Sequence, residues 1–417
     1  MIRASRAPLA CLGFVACVAA LSACSPAAPA GSALPTPSRT PILLGPTSTS
    51  TTAPTPLPTR PPTPTPAPLP SIDADDWRLG ADTAPVRFLV YSDFQSTNGA
   101  LGLADLLATF DRHPEDVQIV FRHLPVLPQY DKDSLAGQAA EAAGRQGRFW
   151  DMVRLLVSAY PEWSVLPPES FRDWLDEKAV ALGLDPDDFA ADLDGGRYAP
   201  LMVEAFQEAT DLGLPGVPTI LMNGTPFRLS PTPLSFESAV RLELLADRQY
   251  AAPPPLTIDP AQGYTAFLEL ATGDIVVQLM PQAAPLAVNS FVFLASEGWF
   301  DGMEIHLVEP GILVEAGDPS GTGFGDPGYH LPDEIDPGLT FGAPGVVAMS
   351  SEGPGTGGSR FFITLQPLPS LDGSRTIFGR VVEGLDLLAS LPARDPGLDL
   401  LSPTAAIVRR VRVIVTE

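Results

Sequence analysis

Sulfur is scarce in this 417-residue sequence and confined to one end of it. The only cysteines are Cys11, Cys17 and Cys24. Downstream of them the chain can form no disulfide, no thiolate nucleophile and no thiolate metal ligand. Histidine is nearly as rare, at four residues. His123 and His330 have no second His, Cys or acidic cluster at ligand spacing, so no metal site is expected. Positive charge is in deficit: 25 Lys plus Arg face 49 Asp plus Glu, a formal net charge of -24. That balance excludes nucleic acid and an electrostatic hold on anionic lipid as partners. Long apolar runs are also missing. The most apolar stretch, residues 7–20, is too short and too rich in small residues to span a bilayer.

That stretch follows Arg3 and Arg6 and precedes Leu21-Ser22-Ala23-Cys24. A basic start, a short apolar run and a small-residue site make a secretory leader. The last four residues resemble the bacterial lipobox, in which the cysteine becomes the lipidated first residue. An ordinary secretory signal cut nearby is the alternative. Residues 1–23 are thus expected to be a lipoprotein signal peptide, with Cys24 as the lipidation site. The chain is expected to work outside the cytoplasm, held to the membrane by the anchor alone. Residues 24–75 are mostly Pro, Thr, Ser and Ala and cannot bury a core, so a disordered tether is expected. At about 3.1 Å per residue, some 45 extended residues reach on the order of 100 Å.

The first folded domain is expected over 76–250. Strand-like runs at 86–91 and 117–121 enclose a helical pattern at 101–110. Helical patterns follow at 135–160, 169–182 and 186–212. A strand at 216–224 ends in Asn223-Gly224, a hairpin turn signal, and a helix is expected over 235–250. The words Ala84-Pro85-Val86, Ser92-Asp93-Phe94-Gln95, Phe121-Arg122-His123-Leu124-Pro125 and Gly216-Val217-Pro218-Thr219 resemble the DsbA-like disulfide oxidoreductases. The resemblance implies a thioredoxin-like α/β fold with a helical insertion. Where that family carries Cys-x-x-Cys, this sequence has Ser96-Thr97-Asn98-Gly99, so Ser96 and Gly99 stand at the lost cysteine positions. A serine hydroxyl does not replace a thiolate in disulfide exchange. Ser96 is read as a helix cap and His123 as a packed structural residue. The resemblance also implies a cis Pro218, with Val217 presenting its backbone to an extended peptide. Holding unfolded chain and acting as a spacer are both open readings of this domain.

Residues 251–262, with Pro253-Pro254-Pro255, form a stiff linker. The second domain, 263–417, opens with two alternating runs around Thr272-Gly273-Asp274, a hairpin. A helix is expected over 284–296, then short strands punctuated by Gly and Pro, which suggest a closed barrel. The words Gly298-Trp299-Phe300-Asp301-Gly302, Gly317-Asp318-Pro319-Ser320-Gly321-Thr322-Gly323, Gly353 to Phe362 and Thr376-Ile377-Phe378-Gly379 resemble the cyclophilin-type peptidyl-prolyl isomerases. The resemblance implies an eight-stranded barrel capped by two helices, and rotation about X-Pro bonds with no metal or cofactor. In that family an apolar pocket grips the proline and an arginine hydrogen-bonds its nitrogen. The family's Phe-His-Arg-Val is Ile305-His306-Leu307-Val308 here, so Leu307 replaces the catalytic arginine. Two polar positions become Glu315 and Arg360, and the family's histidine becomes Arg375. The pocket keeps Ile312, Leu313, Phe362 and Leu371. A guanidinium from Arg360 or Arg375, held in a bidentate pair by Glu315, is one expected substitute for the arginine; an ordinary surface pair of Glu315 and Arg360 is the alternative. His306 is read as structural. The expected function is a folding factor that binds proline-containing, unfolded extracytoplasmic polypeptides, either isomerising them weakly or only holding them.

Overall fold

The computed structural model describes residues 71–416. The leader, Cys24 and nearly all of the expected tether lie outside the described residues. The last residues of that tether, 71–75, are held in place: Arg122 donates to the Ser71 carbonyl at 2.8 Å, and Ile72 packs with Tyr91 and Leu124.

The first unit runs β1 (Trp77–Leu79), β2 (Val86–Ser92), α1 (Thr97–Arg112), β3 (Val117–His123), α2 (Asp133–Arg145), α3 (Phe149–Ser158), α4 (Tyr160–Trp163), α5 (Pro168–Ala181), α6 (Pro186–Asp194), α7 (Ala199–Asp211), β4 (Thr219–Met222), β5 (Thr225–Pro226) and α8 (Pro233–Ala246). Its sheet has the order β1-β3-β2-β4-β5, with only β2 and β3 parallel. Those two strands are apolar almost throughout because both faces are covered. Phe88, Val90, Ile119 and Phe121 pack against Leu103 and Leu106 of α1, Met152 of α3 and Phe236 of α8. Leu89, Tyr91 and Val120 pack with Ala209 of α7 on the other face. Two expected helices are each divided in two. The 135–160 stretch breaks between α2 and α3, where Gly147 has φ +74°, and the 186–212 stretch breaks at Gly196, φ +59°. Left-handed backbone ends a helix whatever the flanking pattern. The hairpin forms at Asn223 (φ 47°) and Gly224 (φ 80°). The Val217–Pro218 peptide is cis.

The second unit runs β6 (Gly263–Leu270), β7 (Gly273–Leu279), α9 (Pro285–Ser296), β8 (Met303–Glu304), β9 (Leu307–Glu309), β10 (Leu313–Ala316), β11 (Val346–Met349), β12 (Phe361–Thr364), β13 (Ile377–Glu383), α10 (Leu385–Ala389), α11 (Pro396–Asp399) and β14 (Ile407–Thr416). All strands join one antiparallel sheet, β8-β14-β6-β7-β13-β11-β12-β10-β9. Its two edges, β8 and β9, are consecutive in the chain, separated only by Ile305 and His306. Segment 303–309 thus pairs with β14 at one end and β10 at the other, and the sheet curls on itself. Counted as one bent strand, that segment makes eight. The interior is aromatic: Phe291 of α9 lies 5.0 Å from Phe300 and 5.6 Å from both Phe361 and Phe378, centroid to centroid. Pro285 starts α9, and the free N–H groups of Leu286 and Ala287 donate to the Glu334 carboxylate at 2.9 Å each, an acidic cap supplied from a distant loop.

Helix α8 serves both units. Phe236 and Val240 belong to the first core and Leu245 to the second. Glu237, buried, takes Arg112 Nε at 2.9 Å and Arg241 Nε at 2.7 Å, with His113 Nε2 at 3.1 Å. Arg241 continues to Glu304 of the barrel at 3.4 Å, and Glu304 meets Arg394 at 2.6 Å. Burial pushes the Glu237 carboxyl up, but the hydrogen bonds from His113, Arg241 and Arg112 outweigh it and bring it down to about 2. Beyond α8, Arg248 lies over the Trp299 ring at 5.3 Å. The 251–262 connector is pinned by Asn289 of α9, whose side chain binds Thr257 N at 2.8 Å and Pro255 O at 3.0 Å.

Candidate functional site

Register brings the candidate residues together. Glu315 on β10 lies opposite Leu307 on β9 and opposite Phe362 on β12. Side chains two apart on a strand share a face, so Phe362, Leu313, Glu315 and Leu307 all present to one face, and Arg360 stands just ahead of β12. Leu307, Glu315 and Arg360, with His306, line a cavity of about 620 Å³. The remaining barrel lining comes from the Thr322–Phe324 loop and from Asp395, Pro396, Gly397 and Leu400.

Asp318 builds that loop. Its carboxylate, fully buried, accepts from the backbone N–H of Ser320 (2.8 Å), Gly323 (2.8 Å) and Gly325 (3.0 Å). A Cβ at Gly325 would lie 2.0 Å from Asp318 Oδ1, so the glycine is required there. Gly317, at φ +100°, likewise leaves no room: a Cβ would meet Ser359 O at 2.2 Å. This close approach locks the end of β10 to the start of β12, with Ser359 Oγ donating to Gly317 O at 2.6 Å.

The polar edge is a closed set of contacts. Arg360 donates to the Gly323 carbonyl, to Glu352 at 3.3 Å and to Glu315 at 3.5 Å. Glu315 holds Arg360 through one oxygen, not the bidentate pair of the first alternative, and that same oxygen lies 3.3 Å from His306 Nε2. The pair is not an ordinary surface pair either, because both side chains are mostly buried, at 17 % and 14 % exposed. His306 is buried, and its Nδ1 has no partner among the described residues. The apolar residues gather beside this edge. Phe362 stacks on Phe341 at 5.8 Å, and Leu313 and Leu371 pack on the same cluster. Ile312 is 38 % exposed and is not part of it. Among the described residues Arg375 donates to the neighbouring Ser374 carbonyl alone, at 3.3 Å, and it does not line the cavity.

The barrel residues match known proteins. The family model for cyclophilin type peptidyl-prolyl cis-trans isomerase matches residues 266–410. Peptidyl-prolyl cis-trans isomerase-like 1 of Gibberella zeae is 43% identical over 153 residues, 36% of this chain and 94% of that protein. The chain belongs to the cyclophilin-type isomerase family. The human isomerase-like 1 protein is 40% identical over 141 residues, 33% of this chain and 83% of its own length. A crystal structure of a Cryptosporidium parvum cyclophilin, determined with the dipeptide Ala-Pro, aligns at 29% identity and TM-score 0.33, covering 36% of this chain and 98% of that one. A thioredoxin family model matches residues 73–241. The molecule is thus a thioredoxin-like domain joined to a cyclophilin barrel.

In the thioredoxin-like domain the space around Ser96 and Gly99 is filled. Ser96 is the N-cap of α1, its Oγ accepting from Gly99 N at 3.0 Å. Asp93, buried beneath it, accepts from Ser96 N at 2.6 Å and from the Ser96 hydroxyl. A Cβ at Gly99 would lie 1.8 Å from Asp93 Oδ1. Asp133 is buried nearby and takes the N–H of Phe94 (3.1 Å) and of Val126 (2.7 Å). Burial, and then the neighbouring Asp93 charge, push the Asp133 carboxyl up to about 7; burial also raises Asp93. His123 is half-buried among Phe94, Phe121 and Phe149 and bonds Glu141 at 2.8 Å.

Sequence reasoning missed what faces the cyclophilin edge. The opposite wall of the cavity is Leu229, Thr232, Leu234, Ser235 and Ser238 of the first domain. Thr232-Pro233 is a legible helix start, but nothing local to it says that it faces Leu307.

Proposed function

We propose that the chain binds X-Pro segments of unfolded polypeptides outside the cytoplasm, anchored through lipid on Cys24, and that it isomerises them slowly. The observation that carries this reading is an apolar cluster lying beside an edge that has leucine where the family's arginine would stand. Leu313, Phe362 and Leu371 share one apolar cluster with Phe341, while position 307 is leucine.

Rotation about X-Pro crosses a barrier near 20 kcal/mol because amide resonance must be broken. A hydrogen bond to the proline nitrogen favours the twisted state, in which that nitrogen regains its lone pair. Removing one such preorganised donor costs on the order of 10²–10³ in rate. Leu307 donates nothing, and binding proline in an apolar pocket does not need it. The reading therefore keeps binding and loses most of the turnover.

A second reading has a specific observation in its favour. Arg360 lines the same cavity as Leu307 and stands two residues before Phe362, just ahead of β12. Its guanidinium is already engaged by Gly323 O, Glu352 and Glu315, which weighs against its reaching a proline nitrogen. The thioredoxin-like domain, with serine and glycine at its old cysteine positions, does no thiol chemistry in this account. The backbone of Val217, beside cis Pro218, is a place where it holds an extended segment.

The test of binding is a titration of the full chain with an Ala-Pro-containing peptide and with its Ala-Ala counterpart. The reading expects saturable binding of the first and none of the second at the same concentration. Equal binding of both would remove the proline pocket from the account.

A further inference from the structure

The cavity beside Leu307 is walled on one side by the barrel and on the other by the segment leading into α8. We propose that the two domains form one composite substrate site there, in which the thioredoxin-like domain selects a large apolar, non-acidic side chain within two or three residues of the proline. The inference rests on the X-Pro reading above.

Position comes first. Arg360, which lines the cavity just ahead of β12, and Phe362, against which the proline would sit, are two residues apart, a spacing of about 6–7 Å in extended chain. An extended peptide that seats proline against Phe362 therefore puts a residue two or three positions away into the cavity. At about 620 Å³, the space lies within the range of about 300–1,000 Å³ typical of ligand sites.

The chemistry of the lining selects the occupant. Its polar groups are largely engaged with one another. Thr232 and Ser235 form a capping box at the start of α8, and Ser235 Oγ also donates to Ser230 O at 2.5 Å. Asp395 accepts from Gly397 N at 2.8 Å, and Arg360 is held by two carboxylates and a carbonyl. Apart from the buried His306 Nδ1, which has no partner among the described residues, the exposed groups of the lining are chiefly apolar. Leu229 is 57% exposed on one wall and Phe324 67% exposed on the other, with Leu234, Leu307 and Leu400 between them. Exposed apolar side chains facing each other across a cavity gain by covering a third. Glu315, Asp395 and the net charge of the chain, -24, oppose an acidic segment.

The wall is also preformed. Helix α8 is tied to the barrel through Glu237, Arg241, Glu304 and Arg394. It is followed by Tyr250, whose N–H donates to Pro327 O at 2.8 Å. A site whose walls are already fixed loses little affinity to ordering.

The experiment titrates the full chain with two dye-labelled peptides sharing an Ala-Pro core, one with leucines at the second and third positions on either side and one with alanines. The parent is expected to bind the leucine peptide about tenfold more tightly. In Leu229→Glu, an exposed position, that preference is expected to fall below twofold. A parent without preference, or a preference that survives Leu229→Glu, would overturn the composite site while leaving the proline pocket standing. Failure of both peptides to bind would overturn the X-Pro reading and the composite site with it. A second arm needs no variant: the leucine peptide with photoreactive leucine is cross-linked to the parent chain. Adducts within residues 229–238 are expected, and adducts confined to the barrel would overturn the proposal.

Discussion

Asp93 occupies the space that a side chain at position 99 would need. With a Cβ placed 1.8 Å from its Oδ1, even Gly99→Ala forces the carboxylate to move or α1 to shift. We expect that variant to lose about 1–3 kcal/mol in a denaturant melt, the ordinary cost of overpacking. Ser96→Cys/Gly99→Cys should be less stable still and should show no disulfide exchange until Asp93 is also shortened. Asp133 gives a pH signature. Its folded pKa, about 7, stands above the usual aspartate value near 4. The folded chain therefore holds a proton that the unfolded chain releases, and stability falls as pH rises from about 4 to 7. Asp133→Asn should flatten that limb of the stability profile; an unchanged slope would mean that another group carries it. The absence of cysteine at positions 96 and 99 was plain in the sequence. The role of Asp93 was not, because a carboxylate six residues before a glycine fits no local pattern.

Helix α8 is where one element joins two cores. Glu237 is 2 % exposed and meets Arg112, His113 and Arg241. Removing its charge leaves three cationic or polar partners facing a neutral group, so Glu237→Gln should cost about 3 kcal/mol, read as a lowered denaturation midpoint. Because the Glu237 pKa is depressed to about 2, its contribution is full above the usual glutamate value near 4.3 and is lost as pH falls through 2. Glu334→Gln removes the charge at the start of α9; a loss of about 0.5–1 kcal/mol is expected. Strands and the start of α9 were legible in alternation and in the Ala284-Pro285 word. The joined patterns at 135–160 and 186–212 hid breaks because apolar periodicity continues across a turn, and only the left-handed backbone at Gly147 and Gly196 divides them. α8 starts two residues ahead of the expected 235, because Thr232 caps it and Pro233 opens its first turn.

Across the whole molecule, the two folds were legible because each carries several ordered words. The eight-strand barrel appears as nine strands only because the segment between Met303 and Glu309 is interrupted at Ile305-His306. The composite cavity was not legible: its walls lie about 70 or more residues apart in sequence, and neither holds a motif for the other. The substitutions at 307, 315 and 360 were readable, but the single-oxygen contact of Glu315 with Arg360 and the hold of Gly323 and Glu352 on that guanidinium required coordinates. The central claim is that this cyclophilin-type domain keeps its proline pocket and lacks an effective donor to the proline nitrogen. Its most direct test is the rate of X-Pro isomerisation catalysed by the full chain, measured beside Leu307→Arg and Arg360→Gln. The account predicts a slow parent, a gain of about 10²-fold or more on restoring the arginine, and little change on removing Arg360. A fast parent that Arg360→Gln silences and Leu307→Arg does not improve would contradict it.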